Sequence, residues 1–597
     1  MKVKFNQFKT KSTRNSDSKG SNIMKKNRKL TALLVAACMT IPMAATTFTV
    51  PMVASGATVT IQADSNAIGY TYYYGYKVFE GYSNAGKFGI TNWGSNINVV
   101  SLIEALKADS TFGAGENNQF YNIESVKTPE TAMAVANIIN GVGNDSEKAN
   151  AFARLVGANV DSSETYENAD IKGAGNGNAD VTMKIGESSD IPQGYYVIIE
   201  RYAPETIDGV NQARTLGLLR VVGSDNLTIS TKRSAPTIAK SVENDGSWGK
   251  VADACIGDAV AFKIIGTLPV TIDDYGAYYY LITDTLGTEF DAPAAENVTV
   301  KVGNNTINQT NDKNCRVTVL NNKITVSFED VTTYDGVTKD TIIEVTYSAK
   351  LNSSANIGET GQTNKVQLTY LSNPNSTYSP DLTNNISEAP TNDSTGETDI
   401  KDTKTTVDDN VKILTYQLDI EKVDAQNSAT KLANAKFKLK NDEGKYALVT
   451  TDKISGWGDE TSAYEFVSNG SGIINIIGLD EGTYYLKETA APDGYNVLPE
   501  EIKVVITANT QDNTSDPINN ATENLTVQVN EGTAVEGLEA NDNYTGVLQI
   551  QVANNKGTTL PETGGIGTKI FYILGGTLVI GSGAALVIKK RMGKDEE

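Results

Sequence analysis

The stretch from Tyr484 to Tyr495 reads YYLKETAAPDGY, and its first half indicates the fold class. Tyr484, Leu486 and Glu488 are two residues apart, so on an extended strand their side chains lie on one face. Similar short alternating segments, separated by Gly, Asn and Asp, recur from residue 58 to residue 557. This pattern predicts a mainly β protein built from β-sandwiches.

Three immunoglobulin-like sandwich domains in tandem are predicted within this region, at 58–234, 235–411 and 412–557. In the first domain, strands are predicted at 70–79, 181–186, 194–202 and 213–222, with helical insertions at 100–107 and 130–156. In the second, they are predicted at 258–267, 277–286, 314–328, 340–350 and 364–371, followed by a polar loop or linker at 373–410. In the third, they are predicted at 414–423, 434–440, 473–478, 482–488, 501–507 and 545–554.

The composition excludes several classes of function. The chain of 597 residues has a formal net charge of −21 and contains no histidine. A strongly acidic chain does not bind nucleic acid or an anionic membrane through its overall field. Without histidine there is no Ser-His-Asp or Cys-His nucleophilic site, and zinc loses a principal ligand. No loop matches an EF-hand, so no metal and no cofactor are predicted.

The cysteines permit at most one disulfide in the mature protein. Cys38 lies in the N-terminal apolar segment, which leaves only Cys255 and Cys315. These two either pair with each other or are small buried residues, and spacing alone does not decide between the two.

Both ends of the chain have the pattern of targeting signals. Residues 1–57 form a leader in which basic residues at 25–29 precede a short apolar run, as in a secretory signal peptide. Residues 558–597 contain an uncharged run at 570–588, long enough to span a bilayer as a helix, and a basic tail at 589–591. A pentapeptide precedes this run and consists of Leu560, Pro561, Glu562, Thr563 and Gly564. The alternative is an ordinary membrane helix after a chance pentapeptide, but the motif, span and tail in this order are much more specific.

Each of the last two domains presents polar residues on strand faces that are otherwise apolar. The pattern is an inward lysine, then an inward acid, then an inward asparagine. These residues are Lys240, Asp284 and Asn364 in the second domain, and Lys422, Glu488 and Asn554 in the third.

Burial of such groups together permits a covalent reaction. Desolvation lowers the pKa of a lysine and raises that of a carboxyl group, so both can become neutral. A neutral amine can attack the asparagine side-chain carbonyl, polarised by the protonated acid, and expel ammonia to leave an isopeptide bond. Close contact makes so poor an electrophile react. The alternative is a lysine that reaches solvent, a capping asparagine and an unrelated acid.

These motifs resemble known families. The C-terminal motif is similar to the sorting signal of sortase-processed surface proteins of Gram-positive bacteria. This resemblance implies that sortase cleaves between Thr563 and Gly564, forms a thioacyl link with Thr563 and passes the acyl group to an amine.

The stretch from Tyr484 to Tyr495 resembles the E-box of collagen-adhesin B-type (Cna B, prealbumin-like) domains, and residues 236–370 resemble the isopeptide-forming domain of fimbrial backbone subunits. The resemblance implies that Asp284 and Glu488 are the catalytic acids of Lys240–Asn364 and Lys422–Asn554 cross-links. Asn555 is adjacent to Asn554 but shares its face with Gln551 and Ala553, so Asn554 is preferred.

The first domain departs from this pattern. Its opening strand near 58–63 has no lysine, Lys77 is a poor substitute, and Glu200 lies in only a partial match to the E-box. No internal bond is predicted there. In fimbrial backbone subunits, a lysine at the end of the first domain joins neighbouring subunits, and the resemblance implies this role for Lys232. The alternative is that Lys232 is one of many solvated lysines.

The sequence therefore predicts the major subunit of a sortase-assembled pilus, a wall-anchored protein that is not an enzyme. Its predicted partners are sortase, further copies of itself and peptidoglycan, and no host ligand is predicted. The first alternative is an unpolymerised wall-anchored adhesin. The second is a secreted carboxylate enzyme such as a glycoside hydrolase, for which no recognisable pair of acids is present.

Overall fold

The computed structural model describes residues 56–557 apart from gaps at 85–86, 143–145, 161–168, 203–205, 208–209, 309–311, 377, 379–402, 511–521 and 541–542. The predicted leader up to residue 55, the sorting motif at 560–564 and the predicted span at 570–588 lie outside the described residues. Across the described ranges, no helix has the length and apolar character that crossing a membrane requires.

The protein is mainly β, as the alternation predicts, and its first part carries the helices. In the described part of this region, the helices are Val99–Ala108 (α1), Pro129–Val142 (α2) and Ser146–Ala158 (α3). Helix α1 begins where the Asn98 side chain accepts a hydrogen bond from the Ser101 amide. The single helix predicted at 130–156 is thus two helices. All three pack apolar faces against one side of a sheet.

The strands of the first domain are Val59–Ile61 (β1), Ala67–Ile68 (β2), Tyr70–Asn84 (β3), Lys87–Trp93 (β4), Ile171–Asn176 (β5), Val181–Thr182 (β6), Gly194–Tyr202 (β7), Thr206–Ile207 (β8), Val210–Asn211 (β9), Leu218–Val222 (β10) and Leu227–Ile229 (β11). The main sheet has the order β10-β7-β3-β4, with β5 also paired to β3. A second cluster of buried apolar residues, including Val59, Ile171 and Ile198, covers the side of this sheet away from the helices.

The second domain is a sandwich of two sheets. Its strands are Ile238–Asn244 (β12), Ser247–Gly249 (β13), Val251–Asp253 (β14), Ala259–Thr267 (β15), Tyr280–Leu286 (β16), Phe290–Asp291 (β17), Thr299–Val302 (β18), Asn305–Thr306 (β19), Cys315–Leu320 (β20), Lys323–Phe328 (β21), Ile342–Leu351 (β22), Gln362–Leu371 (β23), Thr403–Thr405 (β24) and Asp409–Leu414 (β25). One sheet has the order β13-β12-β15-β22-β18-β19, and the other β14-β25-β23-β16-β21-β20. Strands β24 and β25 both pair with β23 and complete this sheet. Their residues were predicted to belong to the linker and to the start of the third domain.

The third domain is a second sandwich. Its strands are Tyr416–Asp424 (β26), Asn427–Lys431 (β27), Lys436–Asn441 (β28), Tyr446–Thr450 (β29), Lys453–Gly458 (β30), Phe466–Val467 (β31), Ile473–Leu479 (β32), Gly482–Ala490 (β33), Ile502–Thr510 (β34), Thr522–Val529 (β35), Val535–Glu536 (β36), Glu539–Ala540 (β37), Asn543–Tyr544 (β38) and Val547–Asn554 (β39). Strand β26 pairs with β27, β32 and β39, and this small sheet faces a larger one of order β30-β29-β28-β33-β34-β35-β36. The long separation between Glu488 and Asn554 is therefore occupied by β34 to β38.

Direct contacts join successive domains. Asn375, which follows β23 of the second domain, accepts a hydrogen bond from the Gly217 amide of the first domain at 2.7 Å. The Ile256 amide of the second domain donates to the Gly478 carbonyl of the third domain at 3.0 Å. The Lys453 ammonium of the third domain donates to the Ala355 carbonyl at 2.8 Å.

Candidate functional site: two buried Lys–acid–Asn clusters

Lys240, Asp284 and Asn364 lie together in the core of the second sandwich. Lys240 is on β12 of one sheet, whereas Asp284 and Asn364 are on the neighbouring antiparallel strands β16 and β23 of the other. Asn364 is opposite Leu286, two residues from Asp284, so the acid and the amide share the inner face. All three residues are buried.

A fourth residue, Tyr347, connects this cluster. The Lys240 ammonium donates to Asp284 Oδ2 and also to the Tyr347 hydroxyl oxygen, at 3.1 Å in the second case. The Tyr347 hydroxyl donates to Asp284 Oδ2 at 2.7 Å and accepts from Asn364 Nδ2 at 2.7 Å. Sequence reasoning did not identify Tyr347, although alternation along β22 with Ile343 and Val345 places it on the inner face.

Burial sets the charge balance of the second-domain cluster. Desolvation lowers the pKa of Lys240, and the adjacent Asp284 carboxylate opposes this shift. The lysine nitrogen lies 5.2 Å from the ring centroid of Phe262 and 5.3 Å from that of Tyr347. Within the described residues, Asp284 Oδ1 and Asn364 Oδ1 are buried without a hydrogen-bond partner.

Lys422, Glu488 and Asn554 form the corresponding cluster in the third domain. Lys422 on β26 is opposite Val552 of the parallel strand β39, and Asn554 follows two residues later on the same face. Lys422 Nζ donates to the Val552 carbonyl at 3.2 Å and lies 3.6 Å from Glu488 Oε1, which comes from β33 of the facing sheet. Burial lowers the pKa of Lys422 to about 8, although Glu488 opposes this shift.

Asn554 contacts its acid directly. Its Nδ2 donates to Glu488 Oε2 at 2.9 Å and to the Asn496 carbonyl at 2.7 Å. Asn554 is fully buried, whereas Asn555 is exposed. Asn554 Oδ1 and Glu488 Oε1 have no hydrogen-bond partner among the described residues, which repeats the situation in the second domain.

The first domain buries an acid but pairs it differently. Glu200 on β7 accepts from the Arg233 Nε at 2.9 Å and from the Thr215 amide at 2.9 Å. The Arg233 guanidinium also contacts Tyr73 and Asp64. A guanidinium stays protonated and is not a nucleophile. Lys77 lies elsewhere, with its ammonium 5.5 Å from the Tyr196 ring. The absence of a bond in this domain remains a prediction.

Lys232, the predicted linking residue, is exposed at the end of the first domain. Its backbone is held by Thr215, whose hydroxyl accepts from the Lys232 amide at 2.9 Å and donates to the Lys232 carbonyl at 2.8 Å. The lysine is thus presented from a chain segment that is anchored to the domain.

The two cysteines of the described region, Cys255 and Cys315, are both buried, and neither forms a disulfide. Cys255, Asp258 and Asp480 bring possible metal-ligand atoms within 4.8 Å of one another, a group that the sequence did not predict. Burial raises the pKa of the Cys255 thiol well above its usual range, and the thiol donates to Asp480 at 3.1 Å. As it stands, the contact between Cys255 and Asp480 is a hydrogen bond from a buried thiol to a carboxylate.

Two segments of the chain match family models. Residues 416–522 match the SpaA prealbumin-like fold domain, and residues 553–595 match the LPXTG cell wall anchor motif. The trypsin-resistant surface T6 protein of Streptococcus pyogenes serotype M6 is 26% identical over 289 residues, which are 41% of this chain and 48% of that protein. The chain thus aligns with about half the length of this relative.

Solved structures of backbone pilins are similar to the chain at low identity. The T6 backbone pilin of serotype M6 Streptococcus pyogenes is 17% identical, with a TM-score of 0.48 over 84% of this chain and 99% of that one. The group B streptococcus pilus 2b backbone protein is 26% identical, with a TM-score of 0.36 over 54% of this chain and 100% of that one. The matched segments confirm the resemblance to LPXTG-anchored pilins. They show that the chain is a cell-wall-anchored surface protein of the Gram-positive type with a C-terminal prealbumin-like domain.

Proposed function

We propose that this chain is the backbone subunit of a covalently assembled pilus and that Lys240–Asn364 and Lys422–Asn554 isopeptide bonds stabilise it. The observation that carries the proposal is that two separate sandwiches each bury one lysine, one acid and one asparagine together. A buried ion pair contributes little net stability, because desolvation offsets its attraction. The occurrence of a buried ion pair in both domains favours a chemical role for the pair, since formation of the isopeptide bond removes the charges of the lysine and the acid.

The same reaction applies to both clusters. The lysine ammonium transfers a proton to the acid, which leaves a neutral amine and a neutral carboxyl group. The amine attacks Cγ of the asparagine, the bond from Cγ to Nδ2 breaks, and ammonia leaves with the proton that the lysine nitrogen loses. The protonated acid supplies the hydrogen-bond donor that the asparagine carbonyl oxygen otherwise lacks among the described residues.

The second part of the proposal concerns assembly. Sortase cleaves after Thr563, and the acyl group passes to Lys232 of the next copy, or to peptidoglycan at the base of the filament. The exposure of Lys232 and the anchoring of its backbone by Thr215 support this role. The chain is then a substrate of acyl transfer and not an enzyme.

An immunoblot of cell-wall extracts boiled in SDS tests the assembly. Cells that express the full chain should show a ladder of high-mass bands. Lys232→Arg, which keeps the charge but not the nucleophile, should collapse the ladder to wall-released monomer, whereas Lys184→Arg on the same domain should leave it intact. A single band from the unaltered chain would instead identify an unpolymerised wall-anchored adhesin.

A further inference from the structure

Tyr347 contacts each reacting residue of the second-domain cluster, and these contacts make that cluster chemically different from the one in the third domain. Its hydroxyl oxygen lies 3.1 Å from Lys240 Nζ, 2.7 Å from Asp284 Oδ2 and 2.7 Å from Asn364 Nδ2. The nitrogen that must leave as ammonia is therefore hydrogen-bonded to a phenol. In the third domain, the corresponding nitrogen of Asn554 is hydrogen-bonded to the acid itself, at 2.9 Å from Glu488 Oε2.

The difference follows first from where each acid lies: Asp284 is on the strand next to Asn364 in one sheet, whereas Glu488 reaches Asn554 from the facing sheet. Glutamate has one methylene more than aspartate, and in the third domain its carboxyl group reaches the asparagine nitrogen. In the second domain Asp284 contacts Lys240 and Tyr347, and the phenol oxygen lies between the acid and the amide nitrogen.

From this geometry we infer that Tyr347 is a catalytic residue, a proton relay that protonates the leaving nitrogen of Asn364 during formation of the Lys240–Asn364 bond. This inference rests on the internal bond that the proposed function assigns to the second domain. It adds a role for a side chain that the lysine, acid and asparagine pattern does not include.

The proton balance of this step closes. The neutral Lys240 amine attacks Asn364 Cγ, and the Tyr347 hydroxyl gives its proton to Nδ2 while it takes one from Asp284 Oδ2. The Asp284 carboxylate then takes the surplus proton from the new amide nitrogen. The bond from Lys240 Nζ to Cγ forms, the bond from Cγ to Nδ2 breaks, ammonia leaves, and Tyr347 and Asp284 end in their starting protonation states.

Two further observations support a relay. Tyr347 is buried and its ring stacks on Phe262 with centroids 5.3 Å apart, which holds the hydroxyl in place. Burial and the adjacent Asp284 raise the pKa of Tyr347 well above its usual range, so the phenol keeps its proton until the leaving nitrogen takes it. The reversal of its hydrogen bonds requires only rotation of the O–H group.

The test follows both cross-links in one molecule. The full chain is synthesised in a cell-free system, samples are quenched over time, and the cross-linked peptides Lys240–Asn364 and Lys422–Asn554 are quantified by mass spectrometry. Tyr347→Phe should slow the first link by about 100-fold or more, the usual contribution of a general acid or base, and leave the second unchanged. The control is Tyr278→Phe, which removes an equally buried hydroxyl that has no hydrogen-bond partner among the described residues and should slow neither link.

A rescue separates a relay from a fault in folding. Asp284→Glu added to Tyr347→Phe lengthens the acid by one methylene, which extends its carboxyl group toward the Asn364 nitrogen and should recover much of the lost rate. Equal rates for the unaltered chain and a folded Tyr347→Phe variant would overturn the inference, and so would a slow variant that Asp284→Glu does not rescue. If the unaltered chain never forms the Lys240–Asn364 link, the internal bond of the proposed function fails first, which is a distinct result.

Discussion

Lys422 Nζ and Glu488 Oε1 lie 3.6 Å apart in the core of the third sandwich, and neither side chain has any solvent exposure. Lys240 and Asp284 have the same relationship in the second sandwich, again with no exposure of either side chain. A globular domain seldom buries such a pair, because desolvation of two charges offsets most of their attraction. Because the pair occurs in two separate cores, its proposed reaction with the neighbouring asparagine can be tested in one domain while the other serves as a control.

The intact mass of the mature chain should be lower than the sequence mass by two molecules of ammonia. Lys240→Ala and Lys422→Ala should each restore one ammonia, and the double variant should restore both, because each removes one nucleophile. Electrospray mass spectrometry of the purified proteins measures this. The predicted absence of a bond in the first domain is checked in the same experiment, since Glu200→Gln should leave the deficit at two.

The Lys240–Asn364 bond should stabilise the second domain by about 5 kcal/mol, because it closes a loop of more than one hundred residues and so restricts the unfolded chain. Asn364→Ala should lower the free energy of unfolding by that amount. Fluorescence of Trp248, with Trp93 and Trp457 replaced by Phe, reports on this domain alone, since each domain contains one tryptophan.

The matched control for the second-domain bond is Lys240→Met, which has no bond to lose. In that background Asn364→Ala should cost only about 1 kcal/mol, the value of its hydrogen bond to Tyr347. Equal costs in the two backgrounds would show that Asn364 contributes packing and hydrogen bonding but no cross-link.

The stability of an unbonded third domain should rise between about pH 8 and pH 10.5. In Asn554→Ala, Lys422 stays a free amine whose pKa is about 8 when folded and 10.5 when unfolded. Below pH 8 the lysine is charged in both states and its burial is fully destabilising. Between the two pKa values the unfolded state binds more protons, so the free energy of unfolding increases with pH, by up to about 3 kcal/mol.

Chemical denaturation followed by Trp457, which stacks on Tyr484 with centroids 5.9 Å apart, measures this rise. Other groups also titrate in this range, so the comparison is with Lys422→Met in the same Asn554→Ala background. That double variant should lack the rise attributed to Lys422. Parallel pH curves for the two proteins would contradict a depressed lysine pKa.

Arg233→Met should destabilise the first domain by about 3–5 kcal/mol, because it leaves Glu200 buried without its cation. Addition of Glu200→Gln removes that charge, keeps an acceptor for the Thr215 amide and should recover most of the loss. Denaturation followed by Trp93 measures both changes. If the double variant is no more stable than Arg233→Met alone, loss of packing by arginine explains the effect instead.

Strand alternation predicted much of the fold from the chain alone. Strand β7 has the predicted bounds of 194–202, and helix α1 exceeds its predicted range by one residue at each end. The segment predicted at 314–328 is instead the hairpin β20–β21. Asn321 and Asn322 form its turn, with φ values of 52° and 58°, and the Asn-Asn pair was a usable signal for it. Strands β29 and β30 were not predicted, because their apolar and polar residues alternate less regularly, whereas β35 was missed although Leu525, Val527 and Val529 alternate with polar residues.

Local sequence was enough to identify the inward lysine, acid and asparagine of the two clusters, because the period of two along a strand assigns each side chain to a face whatever its neighbours are. It could not identify Tyr347 as the residue between Asp284 and Asn364, or Arg233 as the partner of Glu200. Tyr347 meets Asp284 and Asn364 only because one sheet packs on the other. Arg233 meets Glu200 because the segment between β11 and β12 packs against β7.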